Sequence, residues 1–171
     1  SITEGIILDN TITFDSYLPY IVIMVNGMNI EIMELNEELI ESYHVKRFIF
    51  KMIKENYNLE YVPEYHYDVK NLYEYYIKPL KNTFYISIDK DEDKLIGTSG
   101  IRSYDKNYKI NNRFYNKDST ASLYRLFVEE EYRHKRIASK MLDKIEQFCK
   151  YVGYNEIYLH TQKDSYGALP F

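Results

Sequence analysis

The chain has 171 residues, 45% hydrophobic and 28% charged, with a formal net charge of −4 and a pI near 5.6. This length and mixture predict one folded domain with a sizeable core and exclude a disordered segment. The acidic balance argues against a general nucleic-acid binder, which needs a basic field. No apolar run approaches the ~20 residues that span a bilayer, and a single cysteine, Cys149, excludes an internal disulfide framework and suits a reducing cytoplasm.

The opening "SITEGIILDN" has neither a basic leader nor a cleavage pattern, so no secretory signal is expected. In "YIVIMVNGMNIEIM", apolar alternation flanks Asn26-Gly27, a strong short hairpin signal. "IEIMELN" reads as a strand ending at Asn36, a good N-cap, with Glu37 and Glu38 in the first turn of the helix that follows. "ELIESYHVKRFIFKMIKENY" is expected to be helical, and "DVKNLYEYYIKP" a second helix stopped near Pro79.

Residues 82–90 alternate Phe84, Ile86 and Ile88 on one face and form a strand. Its antiparallel partner is 94–104, where Gly97 and Gly100 allow a bulge or a close backbone approach. Residues 105–119 are a polar loop, and "TASLYRLFV" at 120–128 is another strand. A helix at 136–152 places Ile137, Met141, Leu142, Ile145, Phe148, Cys149 and Val152 on one face, with Gly153 as its stop. "NEIYLHT" closes a βαβ unit with strand 156–161, which is normally right-handed with parallel strands. The order from residue 29 is β-α-α-β-β-β-α-β, an α/β chain with a mixed sheet.

The helix at 136 begins among Arg133, His134, Lys135, Arg136 and Lys140. A helix start carries unpaired N–H groups and partial positive charge, so cations there are unfavourable unless an anion sits among them. Phosphate is the usual guest. The competing explanation is a solvated basic turn neutralised by Glu129, Glu130 and Glu131. Neither G-x-x-x-x-G-K-[ST] nor G-x-G-x-x-G is present.

The run "LYRLFVEEEYRHKRIASKMLDKIEQFCKYVGYNEIYLHT" resembles the GNAT (GCN5-related) N-acetyltransferase superfamily. The family turn [RQ]-x-x-G-x-[GA] is matched at its ends by Arg133 and Ala138, while Arg136 replaces its central glycine. The resemblance implies the acyl-CoA N-acyltransferase fold. This is a mixed, mostly antiparallel sheet with a splayed parallel strand pair and helices on both faces. It implies transfer of an acetyl group from acetyl-CoA to a primary amine, on a small molecule or a protein. The alternative is a non-catalytic acyl-CoA-binding or sensing domain. Main-chain groups of Leu126, Phe127 and Val128 would pair with the pantetheine arm. The turn Arg133, His134, Lys135, Arg136, Ile137, Ala138 and Ser139 would hold the pyrophosphate. The implied partners are amines, without nucleic acid or membrane, and a homodimer is left open.

The resemblance also divides the chain into a core, 28–171, and an N-terminal β segment, 1–27. That segment is either the family's C-terminal β-hairpin moved to the front or a local extension. A difficulty attends the first reading, because two residues at 26–27 cannot cross the sheet. The family's frequent carboxylate base falls here on Ser122. Tyr124 shares its face and is the other catalytic candidate, with packing as its plainer role. Tyr166 is a stand-in for the family's tyrosine acid, and Ala168 fits the alanine of its closing helix. His160 is expected near the cleft, more simply as a buried structural histidine. The acids Glu55, Glu60, Glu64, Asp68 and Glu74, among tyrosines, suit either a cationic amine or a solvated helical pair. No spacing of His44, His66, His160, Cys149 and the carboxylates suggests a metal site, and Cys149 belongs to the core.

Overall fold

The computed structural model describes residues 2–7 and 20–161. Seven strands form one sheet: β1 (Ile2–Ile7), β2 (Tyr20–Val25), β3 (Met28–Glu34), β4 (Thr83–Asp89), β5 (Lys94–Ser103), β6 (Thr120–Val128) and β7 (Glu156–Thr161). Their order across the sheet is β1-β7-β6-β5-β4-β3-β2. Every described pairing is antiparallel except β6 with β7. Helices α1 (Glu37–Ser42), α2 (Val45–Tyr57) and α3 (Pro63–Lys70) precede β4, and α4 (Ile137–Val152) links β6 to β7.

Each sheet face carries its own core. On one side the apolar stripe of α4, including Met141, Ile145, Phe148 and Cys149, packs on Ile30, Ile32, Tyr85 and Leu123. On the other, Phe48, Ile49, Met52 and Ile53 of α2 pack on Phe84, Ile86, Ile88 and Phe127. The alternation along β4 sends Tyr85 to the first core and Phe84 and Ile86 to the second, as a strand buried on both faces requires.

Three local features depart from the expected elements. The first long helix is broken at His44, which adopts φ 51°, so α1 and α2 are separate. The second begins earlier than expected, with Pro63 in its first turn. It is interrupted at Asn71 and continues as a π-helical turn, Tyr73–Ile77, closed by the Lys78 N–H donating to the Tyr73 carbonyl at 2.9 Å. That turn buries Tyr76 beside Phe84, at 5.0 Å between ring centroids.

Among the described residues of the first 27, β1 and β2 do not pair with each other. β2 forms the expected hairpin with β3 through Asn26 (φ 48°) and Gly27 (φ 81°), the positive φ values a tight type I′ turn needs. β1 instead lies antiparallel to β7, Ile2 opposite Thr161 through Ile7 opposite Glu156, at the other edge. Ile7 and Tyr20 sit at the same end of the sheet, six strand spacings or ~29 Å apart. Thirteen residue steps reach up to ~43 Å, enough for that separation, so the turn at 26–27 has no need to cross the sheet.

Candidate active site

β6 and β7 are paired only from Thr120 opposite Glu156 to Ser122 opposite Tyr158, and then part. A cavity of about 200 Å³ opens where they separate, lined by Ser122, Tyr124, Leu126 and Phe127 from β6, by Tyr158 and Leu159 from β7, and by Tyr57 and Lys106. Ser122 is 1% exposed and its Oγ has no partner among the described residues. Tyr124 Oη is 3.4 Å from Asp105. Burial pushes the Tyr124 hydroxyl above the ordinary tyrosine range, so it keeps its proton at neutral pH.

Midway along β6 the ladder bulges. Phe127 faces Thr98 and Tyr124 faces Gly100, leaving Arg125 and Leu126 opposite Ser99 alone. Arg125 takes φ 55°, and the Thr98 hydroxyl donates to its carbonyl at 2.8 Å. A bulge re-aims the strand. Here it turns the Arg125 side chain towards α3, where it grips Asp68 through Nε (3.1 Å) and Nη2 (2.7 Å) and reaches the Tyr65 carbonyl (2.8 Å). Tyr76 Oη donates to the same carboxylate at 2.5 Å. Burial raises the Asp68 pKa, but the Arg125 hydrogen bonds and charge, with the Tyr76 hydroxyl, outweigh it and hold the carboxyl below its usual range.

At the mouth of the gap, a short 3-10 turn (Glu130–Tyr132) leads into the basic turn. His134 (φ 62°) and Arg136 (φ 64°) are both left-handed. The position where the family pattern has glycine therefore has the backbone glycine favours. α4 has no side-chain N-cap bond and no acid in its first turn. Two of the three glutamates that could have neutralised this turn are engaged elsewhere: Glu129 with Lys51 at 2.7 Å and Glu131 with Lys94 at 3.0 Å. His134 and Arg136 are exposed. Together with Lys135 and Lys140 they line one side of a hollow of about 300 Å³, and Ile23 to Asn26 form the other.

Not every cation of the turn faces outward. Arg133 Nε donates to the Val128 carbonyl at 2.9 Å and Nη2 to Asn56 at 3.3 Å. Its side chain fastens the end of β6 to α2, a positioning role the sequence did not reveal. Two of the five acids read as suiting either a cationic amine or a solvated helical pair are engaged, Asp68 by Arg125 and Glu60 by Lys54, while Glu55, Glu64 and Glu74 are exposed. His66 is 2% exposed and accepts from the Val62 N–H through Nδ1 at 2.9 Å. Cys149 is fully buried, and burial pushes its thiol far up. His160 lies on β7, but its side chain is outside the described residues, as are Tyr166 and Ala168. Among the described residues no three of His, Cys, Asp and Glu gather to hold a metal, and no helix is long and apolar enough to cross a membrane.

A mixed sheet whose parallel strand pair opens after three residues, with a basic helix start following its inner strand, matches the acyl-CoA N-acyltransferase fold. The sequence pattern of the acetyltransferase (GNAT) family matches residues 47–171, and the chain belongs to that family, whose members use acyl-CoA. No curated protein matches it in sequence. Among solved structures it is similar to a GNAT-family acetyltransferase from Staphylococcus aureus, at 25% identity over 79% of this chain and 75% of that one, TM-score 0.62. Glucosamine-6-phosphate N-acetyltransferase from Arabidopsis thaliana shares the fold at 16% identity, over 78% of this chain and 83% of that one, TM-score 0.55. So does an aminoglycoside acetyltransferase from an uncultured soil metagenomic sample, solved with sisomicin, at 16% identity over 78% of each chain, TM-score 0.55.

Proposed function

We propose that the protein transfers an acetyl group from acetyl-CoA to a primary amine held in the cleft between β6 and β7. The observation that carries this is the opening of the parallel pair beyond Ser122 and Tyr158; the left-handed backbone of His134 and Arg136 at the helix start supports it, since such twists form nests that suit anions. A thioester bound there supplies an activated acyl carbon. The main-chain edges of Leu126, Phe127 and Val128 orient its arm as an added strand would. The N–H groups of Ile137, Ala138 and Ser139 in the first turn of α4 receive the pyrophosphate, with charge from His134, Lys135 and Arg136. The bulge at Arg125 and Leu126 presents a backbone N–H to the charge that develops on the acyl oxygen. Tyr124, kept protonated by burial, donates a proton to the departing sulfur as the amine nitrogen loses one to water.

Two measurements test this. Acetyl-CoA should raise the melting temperature by mass action, and Arg136→Glu, which puts a carboxylate on the exposed turn beside those N–H groups, should abolish the rise. An unchanged rise would refute the placement. With amines offered as a panel, free thiol should be released, and Tyr124→Phe should lower kcat by about 10²-fold. A stabilising response to acetyl-CoA with no turnover of any amine would favour a binding or sensing domain.

A further inference from the structure

The described walls of the cleft carry two cations, Lys106 and Arg125, and no carboxylate. Arg125 is neutralised by Asp68; Lys106 is not. It is half-buried, its ammonium lies 5.1 Å from the centroid of the Tyr158 ring, and no ion pair reaches it among the described residues. Behind it stands a second under-compensated cation. Arg102 pairs with Ser122 across the β5–β6 ladder. Its guanidinium is 4.1 Å from the Tyr124 ring centroid, 5.1 Å from Tyr75 and 5.6 Å from Tyr76. Its nearest carboxylate, Asp105, is 3.9 Å away and 58% exposed, and its Nε is buried without a partner. One aromatic ring of the cleft, that of Tyr124, is therefore already engaged by the protein's own guanidinium. A half-buried lysine and an under-paired arginine project a positive field into a small cavity, which the Ser122 hydroxyl, without a partner among the described residues, also lines.

We infer that the acceptor amine carries an anionic oxygen group close to its nitrogen, a carboxylate or a phosphate, which Lys106 binds at the cleft with Arg102 reinforcing the field. This deepens the proposed function and rests on that reading of the cleft. The acid beside Lys106 and Arg102 is the exposed Asp105, already shared between Arg102 and Tyr124, so a polycationic amine meets net repulsion, whereas an amine with its own anion cancels the charge of Lys106.

The test uses matched amine pairs: glycine with glycinamide, and 2-aminoethylphosphonate with ethanolamine, with sisomicin as the polycation. Binding is measured by calorimetry with the full chain, alone and with CoA, and kcat/KM with acetyl-CoA. In at least one pair the anionic member should bind at least 10-fold more tightly than its neutral partner. Lys106→Glu should erase that preference while leaving the CoA-induced rise in melting temperature intact. Which pair shows the larger ratio assigns carboxylate or phosphate. Equal binding within both pairs, tighter binding of sisomicin, or a preference that survives Lys106→Glu would overturn the inference. Failure of CoA to stabilise the chain would instead count against the proposed transferase reading, because the paired binding constants are read without it.

Discussion

At the scale of single residues, Arg136 shows how a local rule can be broken by chemistry rather than ignored. The left-handed backbone at φ 64° disfavours a side chain by about 1–2 kcal/mol, and glycine would remove that penalty while adding about 0.5–1 kcal/mol of chain entropy to lose on folding. Arg136→Gly is therefore expected to raise the melting temperature by ~2 °C and to weaken acetyl-CoA binding more at low salt than at high salt. A lower melting temperature would show that the arginine is held by something more than backbone need. His66 offers a second check. Burial, then the charge of Arg125, pushes its pKa below the ordinary 6.5, while Asp68 pulls the other way. A depressed folded pKa means the unfolded chain binds the proton better. The contribution to stability is complete above about 6.5 and is lost as pH falls through that value and then through the folded pKa. Between pH 8 and pH 5.5 the urea midpoint should fall more for the natural chain than for His66→Gln, whose amide oxygen can still accept from Val62. Equal falls would contradict the assignment.

At the scale of elements, legibility followed sequence distance. β4, β6 and α4 were readable because alternation and the three-four spacing are written within a dozen residues. The basic helix start was readable because like charges at that place need an explanation. The break at His44 was not, since no glycine or proline marks it, and the contact beside it, the Tyr43 hydroxyl on Asp93 at 2.5 Å, spans 50 residues. The bulge in β6 hid for the same reason: Arg125 reads as an outward residue of a strand until Asp68, 57 residues away, is set opposite it. The arginine inside "LYRLFV" was the one available hint. The π-helical turn places Tyr76 where β5 can come close only without a side chain. A Cβ on Gly100 would lie 2.7 Å from Tyr76 Cε1 and 2.9 Å from Phe84 Cδ2. Gly100→Ala should thus destabilise the chain by about 1–3 kcal/mol, and chemical denaturation would measure it. A neutral result would mean that the π turn yields readily.

At the scale of the whole molecule, the sheet's two edges are both supplied by the first 25 residues, and the cleft depends on one of them. β7 forms one wall of the gap and stays open to it beyond Tyr158, so the ladder that steadies its far half is the one with β1. That ladder runs along six residues. A chain begun at residue 20 would keep both cores but leave the outer side of β7 bare, an invitation to self-association. Such a shortened chain should recover its melting temperature when a synthetic hexapeptide, ITEGII, is added in trans, and a scrambled hexapeptide should do nothing. The outer edge of the β6–β7 gap could then be installed or withheld by dosing a reagent, making the chain a two-piece assembly whose joining is read in its melting temperature.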